Sequence, residues 1–499
     1  MTQLDTPQTD TALISRDTLV EFDKICVGGR WIPSSVDDRA VIVDPTTETI
    51  AGSVALAGPA EIDRALQLAR STFDLGVWSQ ASVETRASAL ETLADRLEER
   101  IEELAALNVR ELGTPITTAR GLQAAPINLL RTFARELRTI ELLDERTRST
   151  GARSRIVREP VGVVAAIIPW NTPTNQFTFK VGPALAAGCS VIVKVATRAP
   201  LVLSAIADTI VELTEEGVLP AGVFSLVASD RNVAEQLITD PRVDLVSFTG
   251  STAAGRHIGS LASSNLARLT MELGGKSAAL VLEDADLEQV VSAIGMSAVR
   301  NAGQTCVAIT RILVPASRHD ELVDRLARAY DEVILGSPDD PRTDIGPVSS
   351  AEARTDILDY IRGAEAEGAK VVRGGSESPA GPGYFVKPTI LDSVTPDMTV
   401  AREEIFGPVV SVITYADEED AVRIANDTPY GLSGAVFARD DERALDVAAR
   451  IRSGVVGVNC ATFDATVPFG GMKASGVGRE GGREGLEEYF ETKTFHLPR

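Results

Sequence analysis

Apolar positions fall into two textures along the chain. From 61 to 73 and from 83 to 111 they recur at helical spacing: Ile62, Ala65, Leu66 and Ala69, then Leu90, Leu93, Leu97, Ile101 and Leu104. That period predicts two helices, and a third is predicted over 126–145. Short apolar runs at 25–32 and 41–43 predict strands. From 161 onward the apolar residues come unbroken. Runs at 161–168, 190–194, 224–227 and 243–248 predict strands, with helices between them at 177–187, 200–216 and 233–239. Strands lacking polar alternation, each followed by a helix, belong to a parallel sheet covered on both faces. After Lys276 the alternation restarts. Strands are predicted at 278–282, 310–314, 388–391, 409–415, 434–438 and 455–458. Helices are predicted at 287–300, 320–333, 351–367, 418–426 and 440–451. The fold class is α/β: a doubly wound parallel-sheet domain followed by a second α/β domain.

The remaining stretches lack this texture. Residues 1–24 read as a flexible tail. The basic, polar stretch 146–158 reads as a linker or an extended strand. The end, 487–497, alternates weakly and carries Tyr489, Phe490 and Phe495. A terminal strand on an exposed edge fits it, free to pair with another subunit.

Composition narrows the function. The 499 residues carry a net charge of −22, which argues against a nucleic-acid or anionic-membrane surface. The four cysteines, Cys26, Cys189, Cys306 and Cys460, are too scattered for a zinc site or a small disulfide framework. A reducing cytoplasm suits them. The three histidines, His257, His319 and His496, form no metal-ligand pair, so no metal is expected and a Ser-His-Asp triad is disfavoured. The first residues lack a signal-peptide run, and no apolar stretch reaches the roughly 18 residues of a membrane helix.

The candidate chemistry centres on 271–306. This stretch opens Met271-Glu272-Leu273-Gly274-Gly275-Lys276 and closes Asn301-Ala302-Gly303-Gln304-Thr305-Cys306. A thiol that attacks an electrophile and a carboxylate that activates water would use such a pair. A core cysteine and an unrelated glutamate are the plainer alternative. Phe248-Thr249-Gly250-Ser251-Thr252 follows a predicted strand and opens a helix, as phosphate-binding turns do, or forms only a tight turn. Pro169-Trp170-Asn171 ends a buried strand, where an amide can donate to an oxyanion or merely sit in a turn. Lys194 ends another strand. Lys180 lies on the helix between. Glu403-Glu404-Ile405-Phe406-Gly407-Pro408 offers an acid for a ribose and a ring for a flat cofactor. The glycine-dense run 468–480, ending Gly478-Arg479-Glu480, suits a site wall.

Taken together, PWN at 169–171, FTGST at 248–252, MELGGKS at 271–277, NAGQTC at 301–306, EEIFGP at 403–408 and PFGGMKASGVGRE at 468–480 resemble the non-acylating, NAD(P)-dependent aldehyde dehydrogenase superfamily. The resemblance runs from about Val27 to the C-terminus. It implies that Cys306 is the nucleophile, Glu272 the general base and Asn171 an oxyanion donor, together with the Cys306 N–H. Lys180 and Glu480 match a proton relay. Lys194 and Glu404 would hold the cofactor riboses, with Phe406 beside the nicotinamide and Gly250 and Ser251 by the pyrophosphate. Ile168, Pro169, Trp170, Thr197, Gly255 and Leu273 complete the cofactor set, the cofactor being NAD or NADP. The implied division is a dinucleotide-binding domain at 25–142 and 162–272 and a catalytic domain at 273–470. An oligomerisation arm, for a dimer or tetramer, comes from 143–161 and 486–499.

Departures from the family pattern refine this. After Lys194 runs Val195-Ala196-Thr197-Arg198, so Thr197 stands where a glutamate would repel a 2′-phosphate. Dual NAD/NADP use is the expectation. Phe179 replaces the arginine with which succinate-semialdehyde relatives clamp a carboxylate. Thr172, Phe179, Val307 and Phe463 suggest an apolar tunnel for aromatic or medium-chain aldehydes, while Asp464 leaves a polar or amino-aldehyde open. The rivals are a CoA-acylating dehydrogenase and a non-catalytic member of the fold. The presence of Glu272 argues against the first. The presence of Cys306, Glu272 and Asn171 together argues against the second.

Overall fold

Hydrophobic runs without polar interruption become central parallel strands. The computed structural model describes residues 16 and 18–498. Five parallel strands, Arg268–Glu272, Leu245–Thr249, Val163–Ile167, Ser190–Val195 and Phe224–Ala228, lie side by side in that spatial order. Gly476–Val477 adds an antiparallel strand at one edge. A hairpin of Lys24–Cys26 and Trp31–Pro33 extends the other, making eight strands. Four of the five, all but Arg268–Glu272, are buried at every residue but Lys194, which is why their sequences show no alternation. Helices cover both faces and give two cores. One gathers around Phe133, Phe177 and Leu203, the other around Ile62, Leu66 and Val246.

A second sheet of seven strands runs in spatial order Lys370–Arg373, Thr389–Asp392, Val409–Tyr415, Ile309–Pro315, Ser277–Val281, Gly434–Phe437 and Gly457–Val458. All neighbours are parallel except the first pair. Its core is separate, with Leu280, Leu313, Ile390 and Phe437 at its centre. A third sheet joins Leu143–Thr147, Arg153–Pro160 and Phe490–His496, all antiparallel. The terminal strand thus pairs within its own chain, from Phe490 opposite Pro160 to His496 opposite Ser154, and keeps its other edge exposed.

Four sequence expectations are corrected. The tail of 1–24 does not extend to 24: Val20–Phe22 pairs in parallel with Ile50–Ala55, and Arg16 ion-pairs with Asp44 and Asp339. Residues 1–15 and 17 of that expectation lie outside the described residues. The helix over 83–111 is two, Val83–Glu98 and Ile101–Leu112. The chain turns at Arg100, whose guanidinium donates to the Ala205 carbonyl at 2.7 Å and to Thr209 Oγ1 at 2.8 Å. The helix over 126–145 runs instead from Ile116 to Thr139 with Pro126 inside it, and 143–147 is a strand. The helix over 287–300 stops at Ile294, just before Gly295, and the strand Ile50–Ala55 was not anticipated.

Candidate active site

The strands Val163–Ile167, Ser190–Val195, Leu245–Thr249 and Arg268–Glu272 run in one direction, so their C-terminal ends share one edge of the sheet. That edge is where open parallel sheets carry ligands. It brings together Ile168 to Asn171, Lys194, Gly250, Ser251 and Glu272. The seven-stranded sheet brings Cys306, just before Ile309–Pro315, and Glu404, just before Val409–Tyr415.

Two glycines allow these parts to meet. A Cβ on Gly275 would lie 2.5 Å from the Cys306 carbonyl oxygen, and a Cβ on Gly274 would lie 2.3 Å from Glu404 Oε2. The Gly275 N–H donates to Glu404 Oε1 at 3.0 Å. The short segment after Glu272 therefore touches both the cysteine loop and the second acid. Side chains at 274 and 275 would hold them apart.

The cysteine loop is wound tightly. Asn301, Ala302 and Gly303 all take left-handed backbone, at φ 52°, 54° and 73°. The Asn301 amide donates to the Asn171 carbonyl at 3.1 Å and accepts from Thr114 Oγ1 at 3.0 Å. Gln304 donates to the Asn301 carbonyl and accepts from the Ser349 N–H, at 3.0 and 2.9 Å. Asn171, buried, donates through Nδ2 to the Gln304 carbonyl at 3.0 Å. Its amide nitrogen carries a second N–H.

Glu272 is only 2% exposed, and its Oε1 has no hydrogen-bond partner among the described residues. Burial, with the nearby Glu480 charge, pushes its carboxyl up to about 8, against the opposing pull of a hydrogen bond with Cys306. Burial and the facing Glu272 push the Cys306 thiol well above its ordinary value. Cys306 and Glu272 thus form one coupled acid–base pair that holds its protons at neutral pH.

Behind Glu272 lies a second pair. Lys180 is fully buried and donates to Glu480 and, at 2.7 Å, to Thr249 Oγ1. Thr249 is the register neighbour of Glu272 across the sheet. Glu480 is fixed by reciprocal backbone hydrogen bonds with Phe469, both 2.7 Å. Phe469 in turn stacks on Phe179 and meets Phe463 edge-on at 5.0 Å. Phe463 reaches Phe179 edge-on as well.

The donor set fits a dinucleotide. The Trp170 and Phe406 rings meet edge-on at 5.6 Å, and Phe406 takes φ 55° to do so. The Ile168 N–H donates to the Lys194 carbonyl at 3.0 Å, tying two strand ends together. Lys194 is partly buried, and burial lowers its ammonium. Glu404, raised by burial, points a carboxylate into the cleft that Gly274 leaves open. Ser251 caps the helix Thr252–Ala262 by accepting from the Ala254 N–H. Gly255 lies on that helix under Leu273, where a Cβ would sit 2.5 Å from Leu273 Cδ2. Its glycine is explained by helix-to-strand packing. Thr197 is half-buried. Arg198 lies over the Trp170 ring at 5.1 Å, with a guanidinium nitrogen 3.4 Å from Ser349 Oγ.

The comparisons agree with one another. Residues 31–495 match the profile of the aldehyde dehydrogenase family. The chain belongs to the aldehyde dehydrogenase family. Geranial dehydrogenase of Castellaniella defragrans is 41% identical over 96% of this chain and 99% of its own. 3-Succinoylsemialdehyde-pyridine dehydrogenase of a Pseudomonas species is 41% identical over 95% and 98%. A Mycobacterium tuberculosis aldehyde dehydrogenase complexed with NAD+ superposes with a TM-score of 0.92, at 39% identity over 96% and 99% of the two chains. An aldehyde dehydrogenase C mutant of Pseudomonas syringae, complexed with NAD+ and octanal, superposes at 0.89 with 37% identity over 95% and 96%. As a member, this chain is an NAD(P)-dependent aldehyde dehydrogenase. No helix among the described residues is long and apolar enough to cross a membrane.

Three contributors escaped the sequence reading. Gln304 and Asn301 lie inside the NAGQTC motif, where residue type marks only Cys306 for chemistry. Ser475 stood inside the glycine-dense run. Its carbonyl accepts from the Leu273 N–H, and its hydroxyl donates to the Gly274 carbonyl at 2.6 Å. Glycine density marked the loop, but nothing in it marked the serine.

Proposed function

We propose that this aldehyde dehydrogenase converts an apolar aldehyde to its carboxylic acid through a covalent intermediate on Cys306. The observation that carries the reading is the meeting of Cys306, Glu272 and Asn171 around the Gly274–Gly275 segment. Cys306 reacts as its thiolate, its proton released to solvent, and adds to the aldehyde carbon. The free Asn171 N–H and the Cys306 N–H hold the resulting alkoxide. NAD or NADP, when bound, would supply the hydride acceptor, and Glu404, Lys194, Trp170 and Phe406 would hold it. Loss of hydride from the thiohemiacetal carbon leaves a thioester. Glu272 then draws a proton from water, which attacks the thioester and frees the acid. Lys180, Glu480 and Thr249 give that proton an onward route.

Two further parts of the reading have their own support. The Phe179, Phe463 and Phe469 cluster favours an aromatic or medium-chain aliphatic aldehyde, in keeping with the geranial and octanal named for relatives. Asp464, exposed in the same loop, accepts from the Thr466 N–H and hydroxyl through Oδ1, and those bonds favour its charged form, which keeps a polar or amino-aldehyde as the second reading. At the cofactor, Thr197 carries no charge to repel a 2′-phosphate, which supports use of both NAD and NADP.

Side-by-side assays with NAD and NADP across aliphatic and aromatic aldehydes, without CoA, test all of this. Cofactor reduction should require Cys306, favour apolar aldehydes, and give kcat/KM values within about 100-fold for the two cofactors, since the missing charge is worth no more than a few kcal/mol. A requirement for CoA, or reduction by Cys306→Ala, would overturn the mechanism. A much larger preference for NAD would overturn the cofactor reading alone.

A further inference from the structure

Lys276 is used by none of this chemistry. It follows Gly275, is 2% exposed, and its ammonium has no hydrogen-bond partner among the described residues. It lines a small cavity of about 10 Å³, walled also by Arg311, Thr428, Tyr430, Ser433 and Ser453. Arg311 is buried as well. It spends three N–H groups on the carbonyls of Lys276, Ile424 and Ala425, each at 3.0 Å, and forms no ion pair among the described residues. Two buried cations and several hydroxyls thus surround a space for one small particle. A buried charge without a partner is costly. Among the described residues, the usual remedy, a carboxylate, is not in contact with either cation.

We infer that this cavity, behind the Gly274–Gly275 segment, is a binding site for one halide-sized anion held by Lys276 and Arg311. Size excludes a carboxylate or a phosphate. The hydroxyls add neutral donors, as a small hard anion needs. Burial, with the Arg311 charge, lowers the Lys276 ammonium to about 7, so the amine loses its proton readily when no anion faces it. Binding therefore takes up a proton. The charged groups around it are Arg311 on Ile309–Pro315 and Glu403 and Glu404 before Val409–Tyr415, with Asp427, Tyr430 and Lys473 on the facing loops. Glu404, raised by burial, accepts from the Gly275 N–H through Oε1.

The test compares bromide with gluconate at equal ionic strength on the intact protein. Bromide should raise the melting temperature saturably, and chloride should do the same. The apparent affinity should be roughly 100-fold weaker at pH 9 than at pH 6, because only the protonated amine binds. Crystals grown in bromide should show an anomalous peak within hydrogen-bond distance of Lys276 Nζ. Lys276→Met, which keeps the chain length and removes the charge, should melt higher than the parent in gluconate and lose the halide response. Absence of an anomalous peak, meaning water alone in the cavity, would overturn the inference. So would an identical halide response in Lys276→Met. Should that variant not fold, the peak in the parent decides.

Discussion

At the residue scale, Glu272 does its work through its displaced proton affinity. The free carboxyl ionises near 4.5, and the buried one near 8. Its base form therefore grows as pH rises through about 8 and is scarce below 7. Hydrolysis of the thioester should follow that limb. The same shift has a stability consequence of fixed sign. The unfolded chain ionises at its ordinary value, so raising the pH from about 4.5 to 8 removes the stability that the neutral buried acid contributed. Glu272→Gln should lower kcat by about 10²–10⁴-fold, the range of a lost general base, and abolish the limb. It should still release about one equivalent of reduced cofactor per site in a single burst, because it spares the alkoxide donors. A steady-state profile that keeps its rise near pH 8 in this variant would assign the base elsewhere. Lys180 gives a second residue-scale test. Lys180→Met leaves Glu480 buried without its cation, at a cost of about 3–5 kcal/mol if the pair is broken in place. The parent and Lys180→Met, Glu480→Gln should differ much less in melting temperature than the parent and Lys180→Met alone. Equal losses would mean that the two residues do not act as a pair.

At the scale of elements, the site depends on backbone clearance as much as on side chains. Gly275→Ala puts a Cβ 2.5 Å from the Cys306 carbonyl, a contact that must push the cysteine loop aside. A displacement near 1 Å at a reacting group costs on the order of 10²-fold in rate, whereas overpacking costs about 1–3 kcal/mol in stability. Gly275→Ala should therefore remain folded, with a lower melting temperature, yet turn over at least 100-fold more slowly. Thiol titration of Cys306 should show the change directly. Unaltered kcat would mean that the loop relaxes without moving the thiol. The motif Gly274-Gly275 was readable in the sequence, and so were Cys306, Glu272 and Glu404. The reason for the glycines was not, because it lies in contacts with residues 31 and 130 positions away. The same limit applies to Gln304, whose hydrogen bonds reach Asn171 and Ser349. The parallel strands were legible because complete burial leaves an unbroken apolar run. The break at Arg100 was not, since its partners, Ala205 and Thr209, lie a hundred residues on. The strand Leu143–Thr147 was also hidden. Its exposed Leu-Asp-Glu-Arg-Thr carries no apolar pattern to read.

That strand raises a question for the whole molecule. Leu143–Thr147 and Phe490–His496 expose nearly every residue, and Arg153–Pro160 buries only Ser154. Leu143 and Phe495 stand about half exposed on this small sheet. Three strands without a covered face have little to hold them together, since sheets of this size need a hydrophobic face or a packed helix. Ion pairs such as Arg155 with Glu145 and Lys493 with Glu159 join the strands, but exposed pairs contribute only about 0–1 kcal/mol each. The free edge of Phe490–His496 is moreover an open row of backbone donors and acceptors, which natural sheets cover or pair. We therefore propose that the arm is covered by a second subunit, in a dimer or a pair of dimers. Light scattering on the eluting protein should give a mass of at least twice the 52.9 kDa chain. Leu143→Asp with Phe495→Asp places charges on two exposed apolar positions outside all three cores, so it should lower that mass while the far-ultraviolet spectrum stays the same. Hydrogen exchange in 143–160 and 490–496 should rise in step with dissociation, because strands that lose their cover lose their protection. A monomeric parent, or an unchanged mass in the double variant, would leave the arm without an assembly role and would require its stability to come from within the chain.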